Sequence, residues 1–342
     1  MIYLGIETSC DDSSVGLYCD ERKVLAGVSA AQLEHEAFGG VVPELASRVH
    51  LRNLPPVLRE ALKKAGLGLE DVDVLAVTEG PGLMGSLMVG VSFAMGLSRS
   101  TGLPLLGIHH IESHILANHI ERDMLFPSMI LVVSGGHSQV VLARKAGDYR
   151  LLAATRDDAA GEAFDKVAKI MGLGWPGGPI IEKLATGGDP LRFPFPKVRL
   201  KDGSSDYSFS GLKTAARLLW EAEGTEALAA DFAASFQKAV VDQLLDGAEE
   251  AVRGRSLEAF YLAGGVAANR ALLAEAESRL GRLGMPIFAP SPRYCTDNGM
   301  MVACAASFRR QADSSSRAPL SPYSRGALPG MRGGSHRRPA SS

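Results

Sequence analysis

Apolar, β-branched segments alternate with polar turns in an order that occurs twice along the chain. Each half opens with three short predicted strands, then has helices on either side of a fourth strand, and closes with a fifth strand. The predicted strands are 2–6, 15–18, 24–28, 73–78 and 104–108 in the first half, and 128–136, 138–144, 149–154, 258–264 and 285–289 in the second. Simple Rossmann chains alternate strands and helices more strictly. The pattern therefore predicts a duplicated α/β fold with a cleft between two lobes.

The length of the chain and its C-terminal composition predict where these lobes end. At about 150 residues per domain, 342 residues suggest two domains. We expect an N-terminal lobe of residues 1–127 plus 296–311, because the last predicted helix packs back on the first half, and a C-terminal lobe of residues 128–295. In residues 312–342, 16 of 31 are Ser, Pro or Gly, and five Arg stand against one Asp. This composition predicts a disordered basic tail.

Overall composition excludes several classes of protein. With 46% hydrophobic and 22% charged residues, the chain is neither wholly disordered nor fibrous. Its four cysteines show no CxxC spacing, which favours a reduced compartment. The first residues lack the basic and apolar regions of a signal peptide, and the uncharged stretch 80–98 is rich in Gly and Ser, as expected of a packed internal helix. We therefore expect a cytoplasmic protein without membrane spans.

Three glycine-rich or acidic turns follow predicted strands and indicate a nucleotide site. They are ETSCDDSS (7–14), SGGHS (134–138) and AGGVAANR (263–270). Backbone N–H groups in such turns can approach phosphate oxygens, although glycine turns often serve only to connect secondary-structure elements. GxxxxGK[ST] does not occur, so a P-loop is excluded, and GxGxxG is absent after the first strand. The first turn carries three carboxylates, Glu7, Asp11 and Asp12. They could stabilise charge or act as a general base at a phosphate–metal centre, or they could simply stabilise the turn.

Histidines at helical spacing predict a metal site. His110 and His114, within GIHHIESHILANH, would project from one face of a helix and could share a metal ion, whereas His109 and His119 lie off that pair. The absence of HExxH argues against a zincin protease. Asp297, at the start of the last predicted helix, is the natural third ligand, with a helix N-cap as its alternative role.

Two further segments are compatible with ligand contact. The segment 157–185 places Asp165 on a helix that ends in a Gly/Pro turn, where a ligand could lie against main chain. Residues 191–217 interleave basic residues with Phe193, Phe195, Tyr207 and Phe209, which suits phosphate contact and base stacking. A solvated loop is the alternative for the second segment.

Together these segments closely resemble the bacterial TsaD family of tRNA threonylcarbamoyladenosine transferases, formerly called O-sialoglycoprotein endopeptidases. The resemblance covers about residues 1–311 and is carried by GIETSCDD, HEAFGGVVPELASRVH, GPGLMGSL, HHIESH, VVSGGHSQ, DDAAGEAFDK, PGGP, SFSGLKTA, AGGVAANR and CTDNGMM. It implies a duplicated actin/Hsp70-like (RNase H-like) fold. It also implies transfer of threonylcarbamoyl from threonylcarbamoyl-adenylate to the exocyclic amine of the adenosine 3′ of the anticodon in ANN-reading tRNAs.

The resemblance also implies roles for individual residues. His110, His114 and Asp297 would hold one divalent metal ion, Fe²⁺ or else Zn²⁺; Ser113 stands where HHxEGH is usual, without removing a ligand. The remaining matched residues are Val132, Val133, Ser134, Gly135 and Gly136 for the phosphate and acyl part, and Asp165, Gly178, Glu182 and Asn269 for the adenosine and ribose. Glu182 stands where members often carry Asp. The chemistry of the reaction, rather than a matched family residue, suggests Asp11 as the candidate catalytic residue, which would take the amine proton or orient the acceptor base.

The resemblance further implies protein partners, a paralogous TsaB-like subunit and a small TsaE-like ATPase. The chain up to residue 311 carries a net charge of −6, so it should hold tRNA weakly by itself. Helix 43–65 and the region 80–98 are apolar enough to offer a docking face to the paralogue. Two other functions remain open, a metalloprotease and a nucleotide-binding module without acyl transfer.

Overall fold

Two five-stranded sheets with the same topology form the framework of the described residues, which are 1–198, 200, 202, 204–312 and 320–331 of this computed structural model. The strand order is β3-β2-β1-β4-β5 in the first sheet and β8-β7-β6-β9-β10 in the second. In each sheet the first three strands pair antiparallel and the last two pair parallel. The strands are β1 Ile2–Glu7, β2 Ser13–Cys19, β3 Lys23–Ala30, β4 Val74–Gly80, β5 Leu105–His109, β6 Ser128–Val133, β7 Ser138–Lys145, β8 Asp148–Ala154, β9 Ala259–Ala263 and β10 Ile287–Phe288.

Helices cover both faces of each sheet. They are α1 Pro43–Ala65, α2 Met84–Thr101, α3 His110–Leu116, α4 Ala160–Ile170, α5 Gly177–Leu184, α6 Ser210–Glu223, α7 Ala229–Val252, α8 Arg270–Leu280, α9 Pro292–Cys295 and α10 Gly299–Ala312. One apolar cluster joins α1 and α2 to the first sheet, and another joins α4 to α8 to the second. A third cluster fills the space between the sheets, where α3 and α10 lie. The result is an alternation of helical and sheet layers.

Helix α10 approaches the first sheet closely because glycines meet at the contact. A Cβ on Gly5 would lie 2.2 Å from the carbonyl oxygen of Gly299, and one on Gly16 would lie 2.3 Å from the amide nitrogen of Met300. A Cβ on Gly299 would in turn lie 2.3 Å from the amide nitrogen of Gly16. This close approach brings the start of α10, and the residues just before it, to the loop between β1 and β2.

The helix predicted at 43–65 runs without a break through Pro55 and Pro56. Each proline removes one backbone donor to the carbonyl group four residues earlier. Those carbonyl groups belong to Leu51 and Arg52, which are exposed, so water can replace the missing donors.

Part of the predicted disordered tail is ordered. Residues 320–331 run from the first sheet to the turn between β7 and β8, and Leu328 is only 4% exposed in the cluster between the sheets. Glu79 anchors the start of this segment, accepting backbone N–H groups from Ser321 (2.7 Å) and Tyr323 (3.1 Å). The prediction is therefore wrong for 320–331, because a few apolar side chains anchor a polar segment; 313–319 and 332–342 lie outside the described residues.

The aromatic residues of 191–217 pack inside the second lobe. Phe193, Tyr207 and Phe209 are buried, and Phe195 packs against Phe232 of α7. They are therefore not a base-stacking surface, because the apolar cluster around α7 takes up their rings. Helix α6, which begins at Ser210, was not predicted in this segment. In the described part of the chain, every helix is too short or too polar to cross a membrane.

Candidate metal and nucleotide site

Two histidines and one aspartate meet at the buried start of α3. Helix α3 begins directly after β5, so His110 and His114 lie one turn apart on the face toward the second lobe. The Nε2 atom of His114 lies 3.0 Å from Oδ1 of Asp297, and Nε2 of His110 lies 3.7 Å from the same oxygen. One donor atom from each of the three residues fits within 4.8 Å of the other two. The structure thus brings together the three residues predicted as metal ligands.

Asp297 is available to the histidines because its neighbour caps α10. The side chain of Asn298 accepts a hydrogen bond from the backbone N–H of Met301 (2.8 Å), which is the geometry of an N-cap. The backbone N–H of Gly299 donates to Ser14 Oγ (2.9 Å) on β2. The alternative role of Asp297 as a helix cap is therefore wrong.

The carboxylates make this pocket attractive to cations. Burial favours the neutral imidazole of His110. The negative charges of Asp297 and Glu7 outweigh this effect and raise the pKa of His110 to about 9. Conversely, the two histidines hold the pKa of Asp297 below its ordinary value, against the opposing effect of burial. A proton on His110 and a metal ion would compete for the same lone pair.

The donor set fits a divalent transition metal. Two imidazole nitrogens and one carboxylate oxygen are typical ligands of Fe²⁺ and Zn²⁺, and three protein ligands leave room for a substrate oxygen. Nδ1 of His114 is buried and, within the described part of the chain, has no hydrogen-bond partner. Its Nε2, by contrast, points to Asp297. The residues present therefore fit one metal ion held through Nε2 atoms.

The acidic loop between β1 and β2 borders this pocket. Nε2 of His50 on α1 lies 3.0 Å from the carbonyl oxygen of Cys10, and its Nδ1 lies 2.7 Å from Ser13 Oγ, so the loop is tied down at both ends. Burial and the negative charges of Asp297 and Asp11 raise the pKa of Asp12 to about 7. Asp11 is half-buried beside it. This raised pKa depends on burial and on the distant Asp297, so residue spacing alone could not reveal it.

The SGGHS turn brings the second lobe to the same pocket. Val132 and Val133 end β6 inside the core, and Ser134 begins the turn. Gly135 and Gly136 are exposed, and a Cβ on either would meet nothing within 4 Å. The side of each glycine that would carry a side chain therefore faces open space, so an anionic ligand can come close to the backbone of this turn.

His137 in this turn lies near the proposed metal ligands. Its ring centroid is 6.1 Å from that of His110, and burial together with the charges of His110 and His114 lowers its pKa to about 3. Sequence reasoning on the turn uses its glycines and misses this histidine. The available signal was a histidine directly after a glycine pair at the end of a central strand.

Three residues predicted to hold adenosine make hydrogen bonds at helix N-termini. Asp165 accepts from the backbone N–H of Gly177 at the start of α5 (2.7 Å), and Glu182 accepts from that of Arg270 at the start of α8 (2.8 Å). Asn269 is the N-cap of α8, accepting from Leu272 (3.0 Å) and donating to Gln237. Gly178 faces open space. The structure thus links α4, α5 and α8, while adenosine contact by these residues stays a prediction.

The two other histidines of the 107–119 segment have structural surroundings. Nδ1 of His109 accepts from the backbone N–H of Ile111, which caps α3. His119 packs edge-on against Phe308 of α10, with ring centroids 4.6 Å apart. Neither residue takes part in the cluster of donor atoms around Asp297.

Comparison with solved structures identifies the fold. Component A of (R)-2-hydroxyglutaryl-CoA dehydratase from Acidaminococcus fermentans superposes with a TM-score of 0.54 at 15% identity, covering 92% of this chain and 100% of that one. This likeness concerns the fold alone. The predicted duplicated actin/Hsp70-like fold is confirmed.

Comparison of sequences identifies the family. A family model described as TsaD, tRNA N6-adenosine threonylcarbamoyltransferase, matches residues 23–304. The protein described as tRNA N6-adenosine threonylcarbamoyltransferase in Moorella thermoacetica is 46% identical over 333 residues, which is 96% of each chain. The protein with the same description in Bacillus subtilis is 45% identical over 310 residues, 89% of each chain. By these matches along nearly its whole length, the chain belongs to the TsaD family of tRNA N6-adenosine threonylcarbamoyltransferases.

Proposed function

We propose that this chain transfers the threonylcarbamoyl group of threonylcarbamoyl-adenylate to the exocyclic amine of the adenosine 3′ of the anticodon in ANN-reading tRNAs, and releases AMP. Membership of the transferase family supports the reaction class. The observation that carries the proposal is that a cluster of metal-binding side chains and a glycine-rich turn border the same pocket. The donor cluster His110, His114 and Asp297 faces the open glycine turn of the second lobe.

The proposed division of labour follows from this geometry. The backbone N–H groups of Gly135 and Gly136 would bind the phosphate and acyl oxygens of the adenylate, and the N-termini of α5 and α8 would lie beside its adenosine. A divalent metal ion, proposed to be Fe²⁺ or else Zn²⁺, would act as a Lewis acid at the carbonyl group. These groups would hold the carbonyl near the tRNA amine, and an adenylate already has a good leaving group.

The proton balance requires a base near the amine. When the amine nitrogen attacks the carbonyl carbon, the bond from that carbon to the phosphate oxygen breaks, AMP leaves and the amine loses one proton. Asp11 is proposed to take this proton or to orient the acceptor base. Asp12, its neighbour in the chain, has a pKa that burial and the charge of Asp297 raise to about 7, so it is a second candidate to accept this proton.

A reconstituted reaction tests the proposed function. Purified protein, its TsaB-like and TsaE-like partners and preformed adenylate are incubated with an ANN-reading tRNA, and threonylcarbamoyladenosine and AMP are quantified by mass spectrometry. We expect both products in equal amounts, and none on a control tRNA that does not read ANN codons. Absence of the modified nucleoside would contradict the proposal. AMP release alone would favour a nucleotide-binding module, and cleavage of a peptide substrate, abolished by a chelator, would favour a metalloprotease.

We further propose that a paralogous TsaB-like subunit docks on the N-terminal lobe. On the outer face of α1 and α2, Leu51 is 65% exposed and Met88 is 53% exposed. They line a shallow apolar groove of about 430 Å³ together with Leu54, Val89 and Phe93. An exposed groove of this composition is typical of a protein interface.

Matched leucine variants test this docking face. Leu51→Glu should abolish co-elution with the paralogue in size-exclusion chromatography, because a carboxylate would be buried unpaired in the interface. Leu218→Glu is the control, since Leu218 is 55% exposed on α6 of the other lobe. Co-elution of Leu51→Glu like the unsubstituted chain would contradict the proposed face.

The proposed lobes are residues 1–127 with 296–311 and residues 128–295. The packing of α10 on β1 and β2 supports this division, since it returns the end of the chain to the first lobe. A cytoplasmic location, where tRNA is modified, completes the proposal.

A further inference from the structure

A buried carboxylate lies directly behind the proposed metal ligands. Glu7 is the last residue of β1 and is fully buried, on the side of His110 away from Asp297. Its Oε2 atom lies 3.2 Å from Nδ1 of His110 and accepts a hydrogen bond from Thr78 Oγ1 (2.6 Å) on β4. Its Oε1 atom accepts from the backbone N–H of Ser9. Both carboxylate oxygens are therefore occupied, and the side chain has a fixed orientation.

These contacts determine which nitrogen carries the proton when His110 is neutral, as a metal ligand must be. A carboxylate only accepts hydrogen bonds, so Nδ1 must donate to Glu7. The hydroxyl group of Ser9, 3.1 Å from Nδ1, can rotate to accept from the same N–H. The lone pair of a neutral imidazole then lies on Nε2, which faces Asp297 at 3.7 Å.

We propose that Glu7 is a positioning residue that holds His110 with Nδ1 protonated and Nε2 directed to the metal ion. This inference rests on the proposed metal centre. The two histidines differ in this respect, because within the described residues Nδ1 of His114 has no hydrogen-bond partner. Metal affinity should therefore depend on the surroundings of His110 more than on those of His114.

Substitution of Glu7 tests the inference by metal binding rather than by turnover. Zn²⁺ affinity is measured by competition with a chromophoric chelator. Glu7→Gln should weaken it about 10- to 100-fold, the range found when outer partners of ligating histidines are removed. Thr78→Val keeps the Glu7 carboxylate but removes one of its hydrogen-bond donors, so this variant should lose less Zn²⁺ affinity than Glu7→Gln. Glu112→Gln is the matched control, because Glu112 is a buried carboxylate on α3 that pairs with Arg309. This substitution should leave the Zn²⁺ affinity unchanged.

A spectroscopic readout separates positioning from a general loss of stability. In zinc-loaded protein with ¹⁵N-labelled histidine, we expect a slowly exchanging Nδ1–H signal of His110 that exchanges faster in Glu7→Gln, because a neutral amide is a weaker acceptor than a carboxylate. Thermal unfolding in the presence of chelator shows whether each variant folds. If Glu7→Gln does not fold, Thr78→Val decides, since unchanged affinity in that variant would overturn the inference.

The outcomes also separate this inference from the proposed metal centre. If the unsubstituted protein binds no Zn²⁺, or if His110→Ala binds as tightly as it does, both the centre and the inference fail. If His110→Ala loses the metal ion while folded Glu7→Gln keeps the original affinity and the slowly exchanging Nδ1–H signal, the centre stands and the role of Glu7 is refuted.

Discussion

At the residue scale, several polar side chains of the cleft are already engaged by the protein itself. Asn269, predicted to contact adenosine, caps α8 and donates to Gln237. Asp297, which could have been a cap, instead contacts His114, because Asn298 caps α10. Sequence spacing predicted which residue types gather here. It could not assign each side chain to backbone or ligand, because that depends on the exact position of helix N-termini.

The capping role of Asn269 gives a stability prediction. Asn269→Ala should lower the free energy of unfolding by about 1 kcal/mol, because the N–H of Leu272 loses its acceptor. Asn269→Ser supplies a hydroxyl acceptor and should stay within about 0.5 kcal/mol of the unsubstituted chain. Urea denaturation followed by circular dichroism measures both. Equal stability of the Ala variant would show that the cap contributes nothing.

At the element scale, local patterns predicted the strands well and the connecting helices less well. The strands of both sheets have short apolar runs between polar turns, and these are visible in a single sequence. Helix α6 was missed because the basic and aromatic residues before it dominate the segment. Its buried positions, Leu212 and Ala216, are four residues apart and were an available signal.

The start of α6 depends on a residue far away in the chain. Asp157 accepts hydrogen bonds from the backbone N–H groups of Phe209 (2.8 Å) and Ser210 and from the hydroxyl groups of Ser208 and Ser210. This cap spans about 50 residues of sequence, so no local pattern reveals it. Despite the opposing effect of partial burial, these donors hold the pKa of Asp157 below its ordinary value of 3.8.

The lowered pKa predicts how this cap responds to pH. Because the pKa of Asp157 is lower in the folded state, its stabilisation is present above pH 3.8 and is lost as pH falls through the folded-state value. Asp157→Ala should therefore lower the free energy of unfolding by about 1–2 kcal/mol at pH 7. The difference should shrink below about pH 3.8. Urea denaturation of both proteins from pH 7 to pH 3 tests this, and a difference that grows toward low pH would contradict it.

At the scale of the whole molecule, the duplicated fold was predictable and the ordered part of the tail was not. The duplication follows from strand order, a property repeated over many residues. Residues 320–331, by contrast, are held by a few contacts, chiefly Leu328 and the backbone hydrogen bonds to Glu79. Composition averages over such contacts and therefore predicts disorder.

Two truncations test whether residues 320–331 stabilise the folded chain. Removal of all residues after Ala312 should lower the unfolding free energy by about 2–3 kcal/mol, chiefly because the Leu328 side chain leaves the core. Truncation after Met331 keeps these contacts and is the matched control. Calorimetry should show a lower midpoint for the shorter protein only. Identical midpoints would contradict a stabilising role.

The central claim is that His110, His114 and Asp297 form one metal centre on which transfer to tRNA depends. The most direct measurement combines metal content by elemental analysis with the initial rate of threonylcarbamoyladenosine formation. It compares the unsubstituted protein with His114→Ala and Asp297→Ala, each assembled with its partners. We expect one metal ion per unsubstituted chain, a rate that follows metal content after chelation and reloading, and loss of both in the variants. A folded variant that keeps stoichiometric metal, or a metal-depleted protein that transfers at the full rate, would contradict the claim.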